Sequence, residues 1–410
     1  MNGNGTVDEG LARCPVGHSA ADPTDSEPQA EFFEWLRHMR DNEPVSFDPS
    51  NGSWSVFGRE EIVHVLSNPN VFVSDLSSIT PPHPDYDVFF KGNIAAMDEP
   101  RHRQFRQLVN KVFSARYIAG MEERVTRVAA ELVDAVAGQE RFDFAEAIAF
   151  PLPATVIAAI LGAEQSDLKL FAQWAELLHT GGASVEGLNN AAKNMRSMNT
   201  YIFGQIRKRR ADPQDDVISL LIAAEVEGRR LADDEIVGFV GLMLIAGITT
   251  TAALIGNIVL SFDRRPEEWA RLRADRTLVT QAVEEIMRVR PSFSSFIRMT
   301  GEDTELGGQF IPAGSFMKVW ISAANRDETY FPDPEHFDID RTPNRHIGFG
   351  QGIHFCIGAP LARLEARIVF DLLLDRYARL TVDRDRPVTF LDTSDMIGAS
   401  KLPVVAVPAR

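Results

Sequence analysis

Cysteine is nearly absent from this sequence: 410 residues contain two, Cys14 and Cys356. Two cysteines cannot build a disulfide framework, which points to a reducing compartment. No C-x-x-C pair occurs, so a structural zinc centre with its four ligands has no starting point. Positive charge is short as well. Against 58 Asp and Glu stand 42 Lys and Arg, giving a net charge of −16. That balance argues against nucleic acid or an anionic membrane surface as the main partner. The opening MNGNGTVDEGLARCPVGH lacks the basic stretch and apolar run of a secretory signal, so the expected location is cytoplasmic.

One long stretch lacks charge of either sign, VGFVGLMLIAGITTTAALIGNIVLSF from Val237 to Phe262. It is long enough to span a bilayer. No second run matches it, and Thr249, Thr250, Thr251 and Asn257 make it more polar than a typical span. A helix apolar all round also suits the middle of a large core, and a buried central helix is the expectation. Length alone allows two or three domains. However, no repeat and no linker interrupts the chain after a polar, Gly/Pro/Asp-rich tail at 1–28, so residues 29–410 are read as one domain. Helical periodicity dominates, with short alternating stretches at Trp54–Phe57 and Val388–Val407. The fold expected is mainly α with minor β. Ser77–Asn93, which holds three prolines, reads as a long loop.

The remaining question is GFGQGIHFCIGAP, Gly348–Pro360. Gly348, Gly350, Gly352 and Gly358 imply a tight turn, or a backbone lying close to something bulky and flat. The periodic APLARLEARIVFDLLLDRYARL that follows places Cys356 just before a helix N-terminus, where the dipole and unpaired amides favour the thiolate. A nucleophilic cysteine is one reading, with His354 two residues away. A lone thiolate among glycines fits better as an axial ligand to a haem, whose two propionates then need cations. DEPRHRQFRQLV sets His102 and Arg106 four residues apart on one helix face; His354 adjoins the thiolate and Arg298 follows the turn in RPSFSSFIR. Alone, His102 and Arg106 read as a solvated face; beside the cysteine loop they read as propionate partners.

These motifs resemble the cytochrome P450 superfamily. FGQGIHFCIG (Phe349–Gly358) matches its haem-ligand signature F-G-x-G-x-H-x-C-x-G, and EEIMR carries its E-x-x-R as Glu285 and Arg288. FPDPEHFDIDR resembles the segment that meets that pair, with Arg341 as the third member, and LIAGITTTAAL resembles the oxygen-binding groove of the central helix. The likeness runs in order over about residues 30–405. It implies a single-domain triangular helical prism with small sheets, holding haem b (Fe-protoporphyrin IX) on Cys356. By the same resemblance Phe349, Gly350 and Gly358 contact the cofactor, and His102, Arg106, Arg298 and His354 hold its propionates. Ala246, Gly247, Thr249 and Thr250 form the groove for O2. Electrons would come from NAD(P)H through ferredoxin reductase and ferredoxin to a monomer. Arg103, Lys111, Arg363 and Arg367 are candidates for the ferredoxin patch. A buried Glu285–Arg288 pair is costly unless every hydrogen bond is made, so Arg341 is expected to complete it and fix the cysteine loop. Phe349 and Phe355 are expected to keep water from the sulfur.

The chain departs from the family at Thr249, where an acid usually precedes the groove threonine. Thr250 can still donate to oxygen or hold a water. The expected activity is monooxygenation of a mid-sized organic molecule in bacterial secondary metabolism. The alternative is an oxidative cyclase or coupling enzyme forming C–C or C–N bonds, with the substrate assisting proton delivery. A haem sensor or electron carrier is the remote reading. For the substrate, the resemblance offers a roof of Tyr86, Phe89 and Phe90, and a lid from Trp174, Leu178 and His179. Leu244 and Ile245 would line the central helix, while Phe293, Ser294, Ser295, Phe296, Met396 and Ile397 would complete the walls. Ser294, Ser295 and His179 are the polar groups able to meet a ligand.

Overall fold

In the computed structural model, residues 29–77, 83–175, 177, 185–391 and 393–409 are described, with the side chains of 185–189 excepted. The 1–28 tail with Cys14, and Leu178 and His179, lie outside them. The uncharged run is all but the first turn of a 30-residue helix, Asp233–Phe262. Asp233, Asp234 and Glu235 occupy its first turn, where carboxylates meet the positive end of the dipole, and Glu235 also accepts the Ala232 N–H at 3.0 Å. From Ile236 to Phe262 nearly every side chain on three sides is buried by other helices. This is the central helix of the protein.

Prolines misled the reading of Ser77–Asn93. Pro84–Gly92 is a helix, with Pro84 in its first turn, where a missing N–H costs nothing, and His83 as its cap. It crosses the central helix backbone to backbone. A Cβ on Gly92 would lie 2.0 Å from the Glu235 carbonyl, and one on Gly238 would lie 2.2 Å from that of Phe89. No larger residue allows that approach.

Other helices pack around this axis, among them Pro151–Ile160, Val185–Ala211, Val279–Val289 and Ala359–Arg376. To one side lies a five-stranded sheet in the order Val45–Asp48, Ser53–Val56, Phe316–Val319, Phe296–Thr300, Phe72–Val73. Only Ser53–Val56 with Phe316–Val319 is parallel. A three-stranded sheet joins Tyr377–Val382, Pro403–Pro408 and Arg141–Asp143. The expected sheets at Trp54–Phe57 and Val388–Val407 are present, and the strands at 296–300 and 316–319 were not foreseen. The result is mainly helical with small sheets, as expected.

Candidate functional site

The cysteine loop joins the 3-10 turn Gly352–His354 to the helix Ala359–Arg376. It closes on itself, Cys356 N–H donating to the Phe349 carbonyl at 2.9 Å and Phe355 N–H to that of Gly352 at 3.2 Å. The glycines answer mostly to protein backbone. A Cβ on Gly348 would lie 2.7 Å from the Met287 carbonyl, and one on Gly352 2.4 Å from that of Leu66, with φ +70° besides. Gly358 differs: its missing Cβ would face the Cys356 sulfur at 3.9 Å. Cys356 lies deep in the protein, yet its side chain is bare toward a cavity of about 270 Å³. Burial pushes its thiol up, against the Gly358 and Ala359 amides and the charges of Arg106 and Arg363, which pull it down. The amides at the helix N-terminus and the two guanidinium groups favour the thiolate, and burial opposes them.

Four cation-capable side chains gather beside the sulfur. The His102 and His354 rings stand 4.5 Å apart, and Arg106 donates to the Phe355 carbonyl at 2.8 Å. His354 Nε2 meets Ser74 Oγ at 3.0 Å. Arg298, buried in its strand, reaches only the neighbouring Ile297 carbonyl, at 2.7 Å. Both ring nitrogens of the buried His102 lack a hydrogen bond, and among the described residues none of the four gives one to a carboxylate. Burial and then the charges of Arg298, His102 and Arg106 drive His354 down to about 3, and burial takes Arg298 down to about 10. Among the described residues the only ion pair these four make is His102 Nδ1 with Glu99 at 3.9 Å, so the cluster is short of negative charge. A haem, with two carboxylates and a metal cation, supplies what both the cluster and the thiol lack. The residues fit it.

His102, Arg106, His354, Phe349, Cys356 and Gly358 stand on the cavity wall; Gly350 does not, nor does Arg298, whose charge nevertheless acts on His354. From the central helix come Ala246, Gly247, Thr250 and Thr251. Thr250 Oγ1 donates to the Ala246 carbonyl at 2.5 Å, so toward the cavity it presents lone pairs. Thr249 faces away, 3.4 Å from the Ala175 carbonyl. Leu244 and Ile245 are buried on the other side of the helix; Phe239, Leu242 and Met243 take their place. Counting back from Ala246 by three, four and seven would have found that face.

Of the other expected wall residues that are described, only Phe293 and Phe296 reach the cavity. Ser294 donates to the Ser394 carbonyl, and Ser295 to Asp395 at 2.7 Å, so neither is free for a ligand. Met396 pairs with Phe293 in a β-bridge, and Ile397 joins a separate cluster with Trp320. Trp174 is core, 5.3 Å from Tyr201. Phe89 packs against Gly241, Phe90 on Phe89 and Tyr86 on His83, none at the wall. Phe355 is 42% exposed and off the cavity wall, where Phe349 stands with Ile357, Leu361 and Ala362. Sequence reasoning missed Ile94, Phe113, Ile157, Leu254 and the buried Glu365 on this wall.

The family model described as cytochrome P450 matches residues 165–405. The chain is 40% identical over 375 residues to the cyclomarin C epoxidase CymV of Salinispora arenicola, covering 90% of this chain and 95% of the epoxidase. It is 37% identical over 390 residues to the erythromycin C-12 hydroxylase of Saccharopolyspora erythraea, covering 92% and 95%. The crystal structure of HmtN, a post-tailoring hydroxylase of himastatin biosynthesis, superposes with a TM-score of 0.83 at 39% identity, covering 94% of this chain and 99% of that one. The chain belongs to the cytochrome P450 family. Its relatives are hydroxylases and epoxidases, so this cytochrome P450 is a haem monooxygenase of bacterial secondary-metabolic type, and they lend no support to oxidative coupling.

In this cytochrome P450 the buried ion pair is fully satisfied. Glu285 Oε1 accepts from Arg288 (2.8 Å), Arg341 (3.2 Å) and the Asp338 N–H (2.9 Å). Its Oε2 accepts from Arg288 (2.8 Å) and Asn344 (2.9 Å). Arg288 gives its other N–H groups to the carbonyls of Asn325, Pro334 and His336. Asn344 was not anticipated. One residue upstream, Glu284 holds a second set of partners, Arg363 and His346.

Proposed function

We propose that Cys356 is the axial thiolate of haem b and that His102, Arg106 and His354, backed by the charge of Arg298, receive its propionates. The observation that carries this is a sulfur open to the cavity together with a cluster of cation-capable side chains that, among the described residues, make no hydrogen bond to a carboxylate. Haem held there would supply O2 activation, with one oxygen atom entering the substrate and the other leaving as water at the expense of two electrons and two protons. The protein's own part is to hold the sulfur, exclude water with Phe349, and receive a substrate against Phe239, Leu242, Met243, Phe293 and Phe296. Those side chains favour an apolar, mid-sized molecule. Thr250, with lone pairs toward the cavity, holds a water or a substrate hydroxyl.

Electrons reach this site from NAD(P)H through ferredoxin reductase and ferredoxin, and the enzyme works as a cytoplasmic monomer. Residues 29–410 form its one catalytic domain, preceded by the 1–28 tail. The test is spectroscopic. Reduced wild-type protein under CO should show the long-wavelength band of a thiolate-ligated haem. Cys14→Ser should keep that band and Cys356→Ser should lose it; the reverse result would overturn the assignment.

A further inference from the structure

Glu284 is not part of the Glu285 network, although it is its neighbour in sequence. Its carboxylate takes both prongs of Arg363, Nε to Oε1 at 2.6 Å and Nη2 to Oε2 at 2.8 Å. On the same Oε2 sits His346 Nε2 at 3.0 Å. The His346 Nδ1 accepts the Gly348 N–H at 3.1 Å, which leaves the ring proton on Nε2 for Glu284. Arg363 lies over the Phe349 ring, 4.3 Å from its centroid. Phe349 in turn accepts the Cys356 N–H with its carbonyl and lines the cavity. Burial would raise the Glu284 carboxyl, but the hydrogen bonds and charges of Arg363 and His346 bring it down to about 2. A charged chain of contacts thus runs from one helix, through the loop, to the backbone of the cysteine.

We infer that Glu284 and Arg363 are positioning residues that set the electronic strength of the Cys356 ligand: the flat guanidinium over Phe349 supplies positive charge behind the sulfur, and Glu284 fixes and partly cancels it. Arg363 is only half-buried, and the bidentate grip keeps it on the ring when water would otherwise draw it away. His346 holds the third corner, so the loop cannot slide along the guanidinium. The inference rests on Cys356 being the iron ligand, which the CO band of wild type and Cys356→Ser tests separately.

The experiment is the ferric/ferrous midpoint potential of the haem-loaded protein, with the CO spectrum recorded for each variant. Removing positive charge behind the ligand disfavours the reduced state, so Arg363→Met should move the potential to more negative values. Glu284→Gln keeps the size and removes the negative charge, so it should move the potential to more positive values. The double variant should return toward wild type. A purely structural role predicts that both single variants loosen the loop and shift the potential in one direction. Shifts of the same sign, or none, in proteins that keep the thiolate CO band would overturn the proposal. Should Glu284→Gln fail to load haem, Arg363→Met decides alone: an unchanged or more positive potential refutes the inference.

Discussion

Among single residues, Glu365 is the most exposed to chemical consequence and the least expected. It is 2% accessible, its Oε2 has no hydrogen-bond partner, and burial pushes its carboxyl up to about 8. At neutral pH it is therefore a neutral acid on the cavity wall, in a protein whose groove has Thr249 where relatives of this family carry an acid. The consequence for stability has a definite sign. Below the ordinary carboxyl range both folded and unfolded states hold this proton. Between that range and about 8 only the folded state does, so stability declines as pH rises through the window, by at most about 1.4 kcal/mol per pH unit. Glu365→Gln should remove that slope. Thermal unfolding of wild type and variant from pH 5 to 8 should diverge in the variant's favour, and an infrared carbonyl band of a protonated acid at pH 7 should vanish with the substitution. Parallel pH curves would show that Glu365 is ionised in the fold.

At the scale of elements, the helix Val279–Val289 is the clamp of the cysteine loop. Its Glu285 and Glu284 reach two different partner sets, one to the 338–344 segment and one to His346 and Arg363. Because Glu285 and Arg288 are both fully buried, Glu285→Ala strands a guanidinium and should cost about 3–5 kcal/mol. That is a large part of a domain's stability, so the expected outcome is little soluble haem-loaded protein. Arg341→Ala, which removes one of five donors, should express and unfold at lower denaturant; equal losses in the two would show that the segment, and not the pair, carries the stability. The Glu285–Arg288–Arg341 set was legible because it stands as a fixed motif. Asn344 and the Glu284 set were not, since their partners are 59 to 79 residues away and no spacing marks them. The same limit applies to the walls. A helical face such as Phe239, Leu242, Met243 and Ala246 can be counted from the sequence. Which aromatic among Trp174, Phe89 and Phe293 meets a cavity depends on how whole helices cross, and a crossing as close as Gly92 on Gly238 buries Phe89 against the central helix instead.

For the whole molecule, charge poses a problem that geometry sharpens. The ferredoxin donor proposed above, if acidic, would be repelled at long range by a protein at −16, and its docking would depend on a local positive patch. Two expected members of that patch are already engaged, Arg363 on Glu284 and Arg367 on Glu122 at 2.6 Å. Lys111 is tied to the Glu225 carbonyl. Arg103 is 69% exposed, with Glu99 only at 3.9 Å, and shares its helix with Arg106, whose guanidinium meets the Phe355 carbonyl beside Cys356. The two fields have different reach. At about 0.01 M salt the screening length is roughly 30 Å and the whole negative molecule is felt; at about 0.1 M it is near 10 Å and the local patch dominates. First-electron transfer should therefore quicken as salt rises from the lowest values, pass through a maximum, and slow once the patch itself is screened. Arg103→Glu should lower that maximum and leave a rate that only rises with salt. Stopped-flow reduction over the salt series decides it, and a wild-type rate that falls from the lowest salt onward would mean that a patch strong enough to outweigh −16 lies elsewhere on the surface.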